Sequence, residues 1–417
     1  MKVILTAGPP AYEGYTAARL DGKVIMLRGA MPGEVAEAEI LQEKKDYSLA
    51  AAIKILEPSP ERVEPPCKYF YTCGGCHLQY VSYPMQVRLK EEVLRSSLKR
   101  IGKLEPPPMS EPLTGQPWNY RRRGKFRLSG GRAGYFMERS NRLVDIDECP
   151  LMAPEINEAF TSAKKILKDT RAGELHIFSG DVTLALIKIG ADRPSAAFCH
   201  DWKRLSGLLM DQGFAGVRVE AGGKRPLVFG CDRLTLGLDG LKYSVSAESF
   251  FQANWNLNRA LVKSVLESLK PLEGKTVLDL YSGAGNFALP ISRLARRAAA
   301  VEENRASVRD GKENARANGV YNCEFIHSGV DGFKIRERFD AVILDPPRAG
   351  IPEAGIGKIL GCAPSVIAYV SCNPSTLARD MGRLRKDYAV ESVRLVDFFP
   401  QTYHIEALAV LSRRRQS

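Results

Sequence analysis

Residues 276–287 read TVLDLYSGAGNF. The first five, apolar apart from Asp279, predict a buried strand, and the turn that follows leads into a helix. Gly283 and Gly285 permit a tight turn and a close approach of a ligand to the backbone at the start of that helix. From residue 252 onward, further apolar strands alternate with amphipathic helices. This alternation predicts a parallel, doubly wound α/β sheet of the Rossmann type.

The next strand indicates what the turn binds. It covers residues 298–301 and ends in Glu302, 23 residues after Asp279, where an acid can bind ribose hydroxyls. The turn lacks the third glycine that a pyrophosphate needs. S-adenosylmethionine (SAM) carries no phosphate, so we expect SAM rather than NAD.

Two further strands end in residues that carry chemistry. The apolar run 339–344 leads to Asp345, Pro346, Pro347 and Arg348. An acid followed by two prolines at a strand end is typical of methyltransferases that act on nucleic acid bases, since the prolines stiffen the loop. The next apolar strand leads to Cys372, which stands before an Asn and a Pro with N-cap and first-turn character. We expect the positive end of that helix to favour the thiolate of Cys372.

A thiolate suits methylation of a pyrimidine at C5. Carbon 5 is a poor nucleophile, and attack of a thiolate at C6 converts the ring into an enolate-like species that can take a methyl group. A base must then remove the C5 proton so that the thiolate can leave. His404 and Glu406 are the candidates for this base, although a lone acid such as Glu406 can also lie on an exposed strand face.

Four of the nine cysteines form a separate set. Cys67, Cys73 and Cys76 lie within ten residues, and Cys149 follows much later. Four thiolates are the number that a [4Fe–4S] cluster or a tetrahedral zinc site requires. Two glycines between Cys73 and Cys76 allow backbone N–H groups to approach cluster sulfides. The spacing favours iron–sulfur, with zinc and unligated cysteines as alternatives, and a disulfide framework is not expected.

The net charge of +12 is concentrated in one stretch. Residues 119–142 contain eight Lys and Arg and one Glu, for a net charge of +7, with aromatic residues interleaved. Cations together with stacking faces are what single-stranded nucleic acid recognition uses. The alternative is a solvated hairpin whose aromatic residues belong to a core. We expect RNA to bind over this stretch.

The length of 417 residues predicts two or three domains. Residues 1–58 show short strands broken by turns, which suggests a small barrel of oligonucleotide-binding (OB) type with a net charge of −1. We place a central α+β domain at 59–250 and the catalytic domain at 251–417; a helix expected at 83–101 is also a candidate to pack on the catalytic domain. No apolar run is long enough to span a membrane, and no signal peptide is evident, so a cytoplasmic location is expected.

Taken together, these motifs resemble those of the RNA uracil-5-methyltransferases, and the iron–sulfur enzymes that act on 23S ribosomal RNA in particular. The resemblance covers essentially the whole chain. It implies an N-terminal barrel of TRAM type, a central iron–sulfur domain and a SAM-dependent catalytic domain. It implies Cys372 as the nucleophile, Glu406 as the base, and transfer of a methyl group to C5 of a uridine by a monomeric rRNA-processing enzyme. The implied [4Fe–4S] ligands are Cys67, Cys73, Cys76 and Cys149, and the SAM contacts are Gln252, Tyr281, Gly283, Gly285, Asn286, Glu302 and Asp345.

The chain departs from the family's pattern at one position, and three alternative functions stay open. The family often has an acidic or amide residue near the adenine, where this chain reads His327-Ser328-Gly329. Transfer RNA is an alternative substrate, since related enzymes with the same motifs act on it. An RNA cytosine-5-methyltransferase is disfavoured because Arg348, rather than a second cysteine, follows the Asp-Pro-Pro motif. A non-catalytic RNA-binding assembly factor would not need Cys372, Glu406 and Asp345 together.

Overall fold

The computed structural model describes residues 1–105, 107–190, 196–223, 225–335 and 337–414. Within these ranges the strands form a six-stranded sheet, a seven-stranded sheet, a two-stranded hairpin and an eight-stranded sheet. No helix among the described residues is both long and apolar enough to cross a membrane.

The N-terminal sheet has the strand order β1-β5-β6-β4-β3-β2. It curls on itself, because Gly8 N donates to Ala17 O and Ala17 N donates to Pro9 O, which ties the chain after the first strand to the third. A side chain at Gly8 would lie 2.3 Å from Ala17 O, so only glycine permits this approach. The strands are β1 Lys2–Thr6, β2 Pro10–Ala11, β3 Tyr15–Leu20, β4 Lys23–Arg28, β5 Val35–Glu43 and β6 Tyr47–Glu57, with a 3₁₀ turn at Tyr12–Gly14.

The middle of the chain contains a helix, α1 (Tyr83–Arg100), then a strand, β7 (Met109–Leu113), and then the seven-stranded sheet of order β10-β9-β8-β11-β12-β13-β14. Helices α2 (Pro154–Leu167) and α3 (Ala196–Asp211) accompany this sheet, and a hairpin of β15 (Arg233–Leu238) and β16 (Leu241–Ser246) follows it. The seven strands are β8 Arg123–Ser129, β9 Arg132–Phe136, β10 Leu143–Asp145, β11 Ala172–Ser179, β12 Thr183–Ile189, β13 Phe214–Ala221 and β14 Leu227–Gly230.

The C-terminal sheet has the order β19-β18-β17-β20-β21-β23-β22-β7. Neighbours from β19 to β21 are parallel, and β23 is antiparallel to both β21 and β22. Its strands are β17 Thr276–Leu280, β18 Arg297–Glu302, β19 Cys323–His327, β20 Ala341–Leu344, β21 Val366–Ser371, β22 Tyr388–Val396 and β23 Glu406–Arg413. The helices are α4 Trp255–Leu269, α5 Ala288–Ser292, α6 Arg305–Ala317, α7 Glu353–Cys362 and α8 Pro374–Leu384.

Helices cover both faces of this sheet, as the alternating pattern predicts. Val277 of β17 packs in the core shared with α4, α5 and α6, whereas Leu278 packs in the core shared with α1, α7 and α8. Alternate residues of one strand therefore serve opposite cores, which is the arrangement of a doubly wound fold. The Rossmann-like architecture expected from residues 252 onward is confirmed.

Part of the eight-stranded sheet comes from a region that the sequence assigned to the central domain. Strand β7 pairs in parallel with β22 through Met109 and Ser110, and α1 packs against α8 and β22. The helix expected at 83–101 was a candidate to pack on the catalytic domain, and α1 does pack on α8 and β22. Strand β7 is the element that the boundary at residue 251 leaves out, because it is short and nothing in its local sequence identifies the sheet that it joins.

Candidate active site

The candidate catalytic residues lie at one edge of the eight-stranded sheet. Asp345 directly follows β20, and Cys372 directly follows β21. These strands are parallel neighbours, with Leu344 opposite Tyr369, so their carboxyl ends open on the same side of the sheet. Ligand sites of open α/β sheets form at such an edge.

The register of β21 and β23 brings the proposed nucleophile and base together. Ser371 pairs with Ala407 in this antiparallel ladder. The next position along one strand is Cys372, and the preceding position on the other is Glu406. Residues opposite each other in such a ladder lie about 5 Å apart. Cys372 and Glu406 therefore meet across the end of the ladder, although they are far apart in the sequence.

Burial dominates the protonation of this cluster. Burial, followed by the neighbouring Glu406 and Asp345, raises the pKa of Cys372 to about 11, against a smaller opposing effect of Arg348. Burial and then Asp345 raise the pKa of Glu406 to about 8. Burial and then Glu302 raise the pKa of Asp345 to about 7. Asn373 caps α8 and Pro374 begins it as predicted, so the start of this helix does lie beside Cys372, but burial and the two carboxylates oppose the thiolate that it was expected to favour.

The two candidates for the base differ in their surroundings. Burial and then Arg348 lower the pKa of His404 to about 3, which makes it a poor proton acceptor near neutral pH. His404 Nδ1 lies 3.1 Å from an Arg348 guanidinium nitrogen and is thereby occupied. Glu406 is 4% exposed and faces Cys372. The geometry favours Glu406, and its exposed-face alternative is wrong.

A pocket beside these residues brings together most of the predicted SAM contacts. It is bordered by the aromatic residues Phe250 and Phe251 on one side and by the Gly-rich turn on the other. The predicted contacts that line it are Gln252, Tyr281, Gly283, Asn286 and Asp345. Sequence reasoning did not identify the two aromatic residues as part of the pocket.

The two remaining predicted contacts shape the turn itself. One carboxylate oxygen of Glu302 accepts a hydrogen bond from Gly283 N at 3.0 Å, and the other accepts from Asn304 N at 2.7 Å. Gly285 has a φ of +94°, and a side chain there would lie 2.8 Å from the ring of Phe325. The Glu302 carboxylate therefore stabilises the turn through its hydrogen bond to Gly283, and Gly285 is a position that only glycine can fill.

A second cavity, of about 630 Å³, adjoins the turn at Tyr281. Glu303, Gly329 and Asp331 are among the residues that line it. The run His327-Ser328-Gly329 lacks an acid, but Asp331 follows two residues later and lines this cavity.

The N-terminal sheet also reaches the catalytic cluster, which sequence reasoning missed. The Tyr12 ring packs edge-on against Tyr403, with ring centroids 6.3 Å apart. Burial raises the pKa of Tyr12, and the charges of Arg348 and Cys372 act on it as well. No local signal could have identified Tyr12, because its neighbours in space come from the other end of the chain.

The four cysteines of the separate set share one cavity of about 120 Å³. Burial raises the pKa of Cys73 to about 11 and that of Cys76 to about 12, and it also raises the pKa of Cys149. In the part of the chain that the structure describes, no group of three or more His, Cys, Asp or Glu side chains is arranged to hold a metal ion. The cavity walls also include Arg121 and Tyr135.

Several cations of the basic stretch have carboxylate partners from outside it. Arg122 lies 2.6 Å from Glu155, and Lys125 and Arg127 both pair with Glu174. The exposed Arg132 and Arg142 have no ion pair among the described residues. The charge of +7 is thus partly neutralised in the folded protein, which the count along the sequence could not show.

Comparison with known proteins identifies the family. A family model described as tRNA (uracil-5-)-methyltransferase matches residues 113–414. The protein belongs to this family. The resemblance to RNA uracil-5-methyltransferases that the motifs indicated is therefore confirmed.

Individual members of the uracil-5-methyltransferase family match nearly the full chain. The 23S rRNA (uracil(1939)-C(5))-methyltransferase RlmD of Alkalilimnicola ehrlichii is 34% identical, over 97% of this chain and 95% of that protein. The RlmD of Methylococcus capsulatus is 33% identical over 97% of this chain and 95% of that protein. The crystal structure of Pyrococcus abyssi tRNA (uracil-54, C5)-methyltransferase with S-adenosyl-L-homocysteine aligns with a TM-score of 0.76 and 25% identity, over 97% of this chain and 99% of that chain.

Proposed function

We propose that this protein is a SAM-dependent methyltransferase that adds a methyl group to C5 of a uridine in 23S ribosomal RNA. The observation that carries the proposal is the end of the β21–β23 ladder, where Cys372 and Glu406 face each other beside Asp345. A nucleophile and a base on adjacent strand ends are what addition at C6 and proton removal at C5 require.

The residues of the chain divide the reaction between them. The Cys372 sulfur forms a bond to C6, and the electron pair of the C5–C6 double bond moves toward O4. C5 then accepts the methyl group that SAM supplies. Glu406 takes the C5 proton, the double bond re-forms, and the Cys372 thiolate leaves. The Cys372 thiol gives its proton to water before the attack, and Glu406 passes the C5 proton to the departing thiolate, so thiol and carboxylate are both regenerated and one proton per methyl group goes to water.

The pocket beside the ladder is our proposed SAM site. Five of its lining residues belong to the predicted set, and its mouth meets the catalytic cluster at Asp345. Glu302 and Gly285 act by shaping the turn, and Glu302 is also placed at a strand end from which an acid can reach ribose. Asp331 is our candidate for the adenine contact, because it lines the adjoining cavity with Tyr281 and Glu303.

The names of relatives favour ribosomal over transfer RNA as the substrate. The proteins with 33–34% identity cited above are named for 23S rRNA, whereas the solved tRNA enzyme is 25% identical. Transfer RNA remains the second candidate on the strength of that structure. We infer that RNA passes over the exposed cations of residues 119–142 and delivers a flipped uridine to Cys372.

The decisive experiment uses RNA that contains 5-fluorouridine. Fluorine cannot be removed as a proton, so incubation with SAM should trap a covalent complex between protein and RNA. Cys372→Ala should abolish the complex, and its persistence in that variant would disprove the assignment of the nucleophile. Parallel reactions with 23S rRNA and bulk tRNA, read out by mapping 5-methyluridine, distinguish the two substrates.

We also infer that Cys67, Cys73, Cys76 and Cys149 hold a [4Fe–4S] cluster. The four cysteines line a cavity rather than converge on one point. A [4Fe–4S] cluster fills such a volume, whereas a zinc ion needs four sulfur atoms at about 2.3 Å from a single centre. The Tyr135 hydroxyl and Arg121 Nε are buried at this cavity without a hydrogen-bond partner among the described residues. Both are donors, and sulfides or thiolates would satisfy them.

Metal analysis distinguishes a [4Fe–4S] cluster from a zinc site. Protein purified without oxygen should contain about four iron and four sulfide per chain, and Cys76→Ser should lose both. Stoichiometric zinc in place of iron would disprove the cluster.

Residues 1–58 are proposed to be the OB-like barrel of TRAM type, because six strands curl until the chain after β1 bonds to β3. The central iron–sulfur and RNA-binding domain is proposed to begin at residue 59, with α1 and β7 assigned instead to the catalytic unit that ends the chain. The monomeric state and the cytoplasmic location stay predictions.

A further inference from the structure

The segment between β22 and β23 leads directly into the proposed base, Glu406, and is held from outside its own sheet. Four successive backbone carbonyls in it accept hydrogen bonds from residues that precede α4 in the chain. The acceptor and donor pairs are Phe398 O with Asn254 Nδ2 at 3.4 Å, Phe399 O with Lys90 Nζ at 3.0 Å, Pro400 O with the Tyr120 hydroxyl at 3.1 Å, and Gln401 O with His77 N at 2.8 Å and Leu78 N at 3.0 Å.

Helix α1 makes the most extensive of these contacts. Lys90 Nζ lies 2.6 Å from Asp397 Oδ1, and the two side chains are 2% and 0% exposed. Gln86 and Gln401 form a reciprocal pair: Gln86 Nε2 donates to Gln401 Oε1, and Gln401 N donates to Gln86 Oε1, both at 2.9 Å. Two buried side chains of one helix thus fix both the start and the middle of the segment.

The local backbone shows why such fixing is needed. Gln401 has a φ of +68°, a conformation that residues other than glycine rarely adopt. The segment contains no regular secondary structure between Val396 and Glu406. A buried, irregular backbone must find partners for its carbonyls, and here those partners come from α1, from the loop after Cys76 and from the basic stretch.

The sheet pairing of β23 constrains Glu406 from only one direction along the strand. It is the first residue of β23, where it pairs with Val396, and the ladder continues only toward its C-terminal neighbours. The position of its carboxylate relative to C5 of a bound uracil therefore depends on where the preceding segment delivers the chain. Misplacement of a catalytic group by about an ångström can reduce a rate by roughly 100-fold.

We propose that Lys90 and Gln86 are positioning residues that hold the 397–405 segment so that Glu406 reaches the C5 proton. This rests on the proposed function, and it adds residues outside the methyltransferase motifs to the machinery of one step. Cys372 is carried by β21 and α8, so attack by Cys372 and methyl transfer depend on the segment only through the contact of His404 with Arg348, which lies beyond the residues that Lys90 and Gln86 hold.

The test separates proton removal from the steps before it. With natural uridine RNA and SAM, Lys90→Met should lower turnover roughly 10- to 100-fold. A denaturation-resistant complex of protein and RNA should accumulate, because the methylated intermediate stays bonded to Cys372 until the slowed removal of the C5 proton releases it. With 5-fluorouridine RNA, the same variant should form its covalent complex at nearly the wild-type rate. Lys99→Met, at an exposed lysine of the same helix, is the matched control and should behave as wild type.

Gln86→Leu keeps the buried ion pair and should show the same pattern, so the test survives if Lys90→Met does not fold. Wild-type turnover in a folded variant, or a parallel loss of both complexes, would overturn the proposal. Glu406→Gln should accumulate the natural-uridine complex. If Glu406→Gln accumulates this complex and neither Lys90→Met nor Gln86→Leu does, this inference fails while the proposed function stands. If Glu406→Gln turns over at the wild-type rate, Glu406 is not the base and the proposed function fails at that step.

Discussion

At the residue scale, the candidate site is a group of buried acids beside a single cation. Cys372, Glu406 and Asp345 all have raised pKa values, first because burial penalises their charged forms and then because a neighbouring carboxylate repels each of them, which for Asp345 is Glu302. Arg348 is the group that lowers the pKa of both Cys372 and Glu406. Its side chain is aligned by His404, so the residue after the two prolines is part of the electrostatics of the site.

The first prediction concerns pH. Because the pKa of Cys372 is raised to about 11, the thiolate fraction grows about ten-fold per unit between roughly pH 6 and 9. Formation of the 5-fluorouridine complex should rise accordingly. Arg348→Met removes a charge that lowers the pKa of Cys372, so its curve should shift to higher pH. A flat profile, or identical curves for the two proteins, would contradict this prediction.

The second prediction concerns stability. The pKa of Glu406 is about 8 in the folded protein and 4.5 without the fold. Between these values the folded protein keeps a proton that the unfolded chain releases, so this group destabilises the fold as pH rises. Glu406→Gln should therefore raise the free energy of unfolding at pH 8 by an amount on the order of 4 kcal/mol, since the gap between the two pKa values corresponds to about 1.4 kcal/mol per unit.

Urea denaturation of both proteins at about pH 5 and pH 8 measures the effect, and the difference should shrink at the lower pH. An equal difference at both values would show that the substitution acts by some means other than the buried charge.

At the element scale, strand ends and glycine contacts determine the site. Asn373 accepts from Ser375 N at 3.0 Å and so begins α8 directly after Cys372, while its Nδ2 donates to Arg348 O at 3.2 Å. One side chain thus joins the nucleophile loop to the Asp-Pro-Pro loop. On the cofactor side, the Phe325 ring of β19 packs against both Gly285 of the turn and Gly311 of α6.

The third prediction uses this contact. A methyl group at Gly311 would lie 2.2 Å from the Phe325 ring, which also packs against Gly285. Gly311→Ala should therefore destabilise the protein by roughly 1–3 kcal/mol and weaken SAM binding. Gly357→Ala, at an exposed helix position with open space around it, should instead stabilise by roughly 0.5–1 kcal/mol. Equal effects in chemical denaturation would contradict the packing argument.

At the scale of the whole molecule, three regions converge on the base. The N-terminal sheet contributes Tyr12, the cysteine loop contributes His77 and Leu78, and α1 contributes Lys90 to the surroundings of the segment before Glu406. The cysteine set is thus connected to the segment that leads into the proposed base, since His77 directly follows Cys76 and its backbone N–H donates to Gln401 O.

The fourth prediction concerns RNA affinity. Exposed Arg142 has no carboxylate partner among the described residues, whereas Lys125 lies 3.1 Å from Glu174. Arg142→Ala should weaken RNA binding and reduce the slope of log affinity against log salt by about 0.7–0.9. Lys125→Ala should change the slope less. Titration of each variant with RNA at several salt concentrations measures the slopes. Equal slopes for the two variants would contradict the assignment of Arg142 as the stronger phosphate contact.

Much of the fold was predictable because its signals are local. The pattern of apolar strands with Gly-rich or Pro-rich ends identified β17, β18, β20 and β21, and the N-cap sequence Asn373-Pro374 located the start of α8. The helix at 83–101 was a candidate to pack on the catalytic domain, and α1 does so. The place of β7 in the catalytic sheet was not predictable, because its partner β22 lies about 280 residues away. The raised pKa of Cys372 was not predictable, because burial and the two neighbouring carboxylates act on it only in the folded protein.

The sequence by itself determined the family, the doubly wound sheet and the identities of the thiol, the acids and the Gly-rich turn, since each is written in a short contiguous motif. Only the tertiary structure decided which groups act on one another. It set Glu406 opposite Cys372, paired Arg348 with His404, neutralised part of the basic stretch, and gave Lys90 a buried partner beside the base. These outcomes depend on strand register and on burial, and both arise only when distant segments pack together.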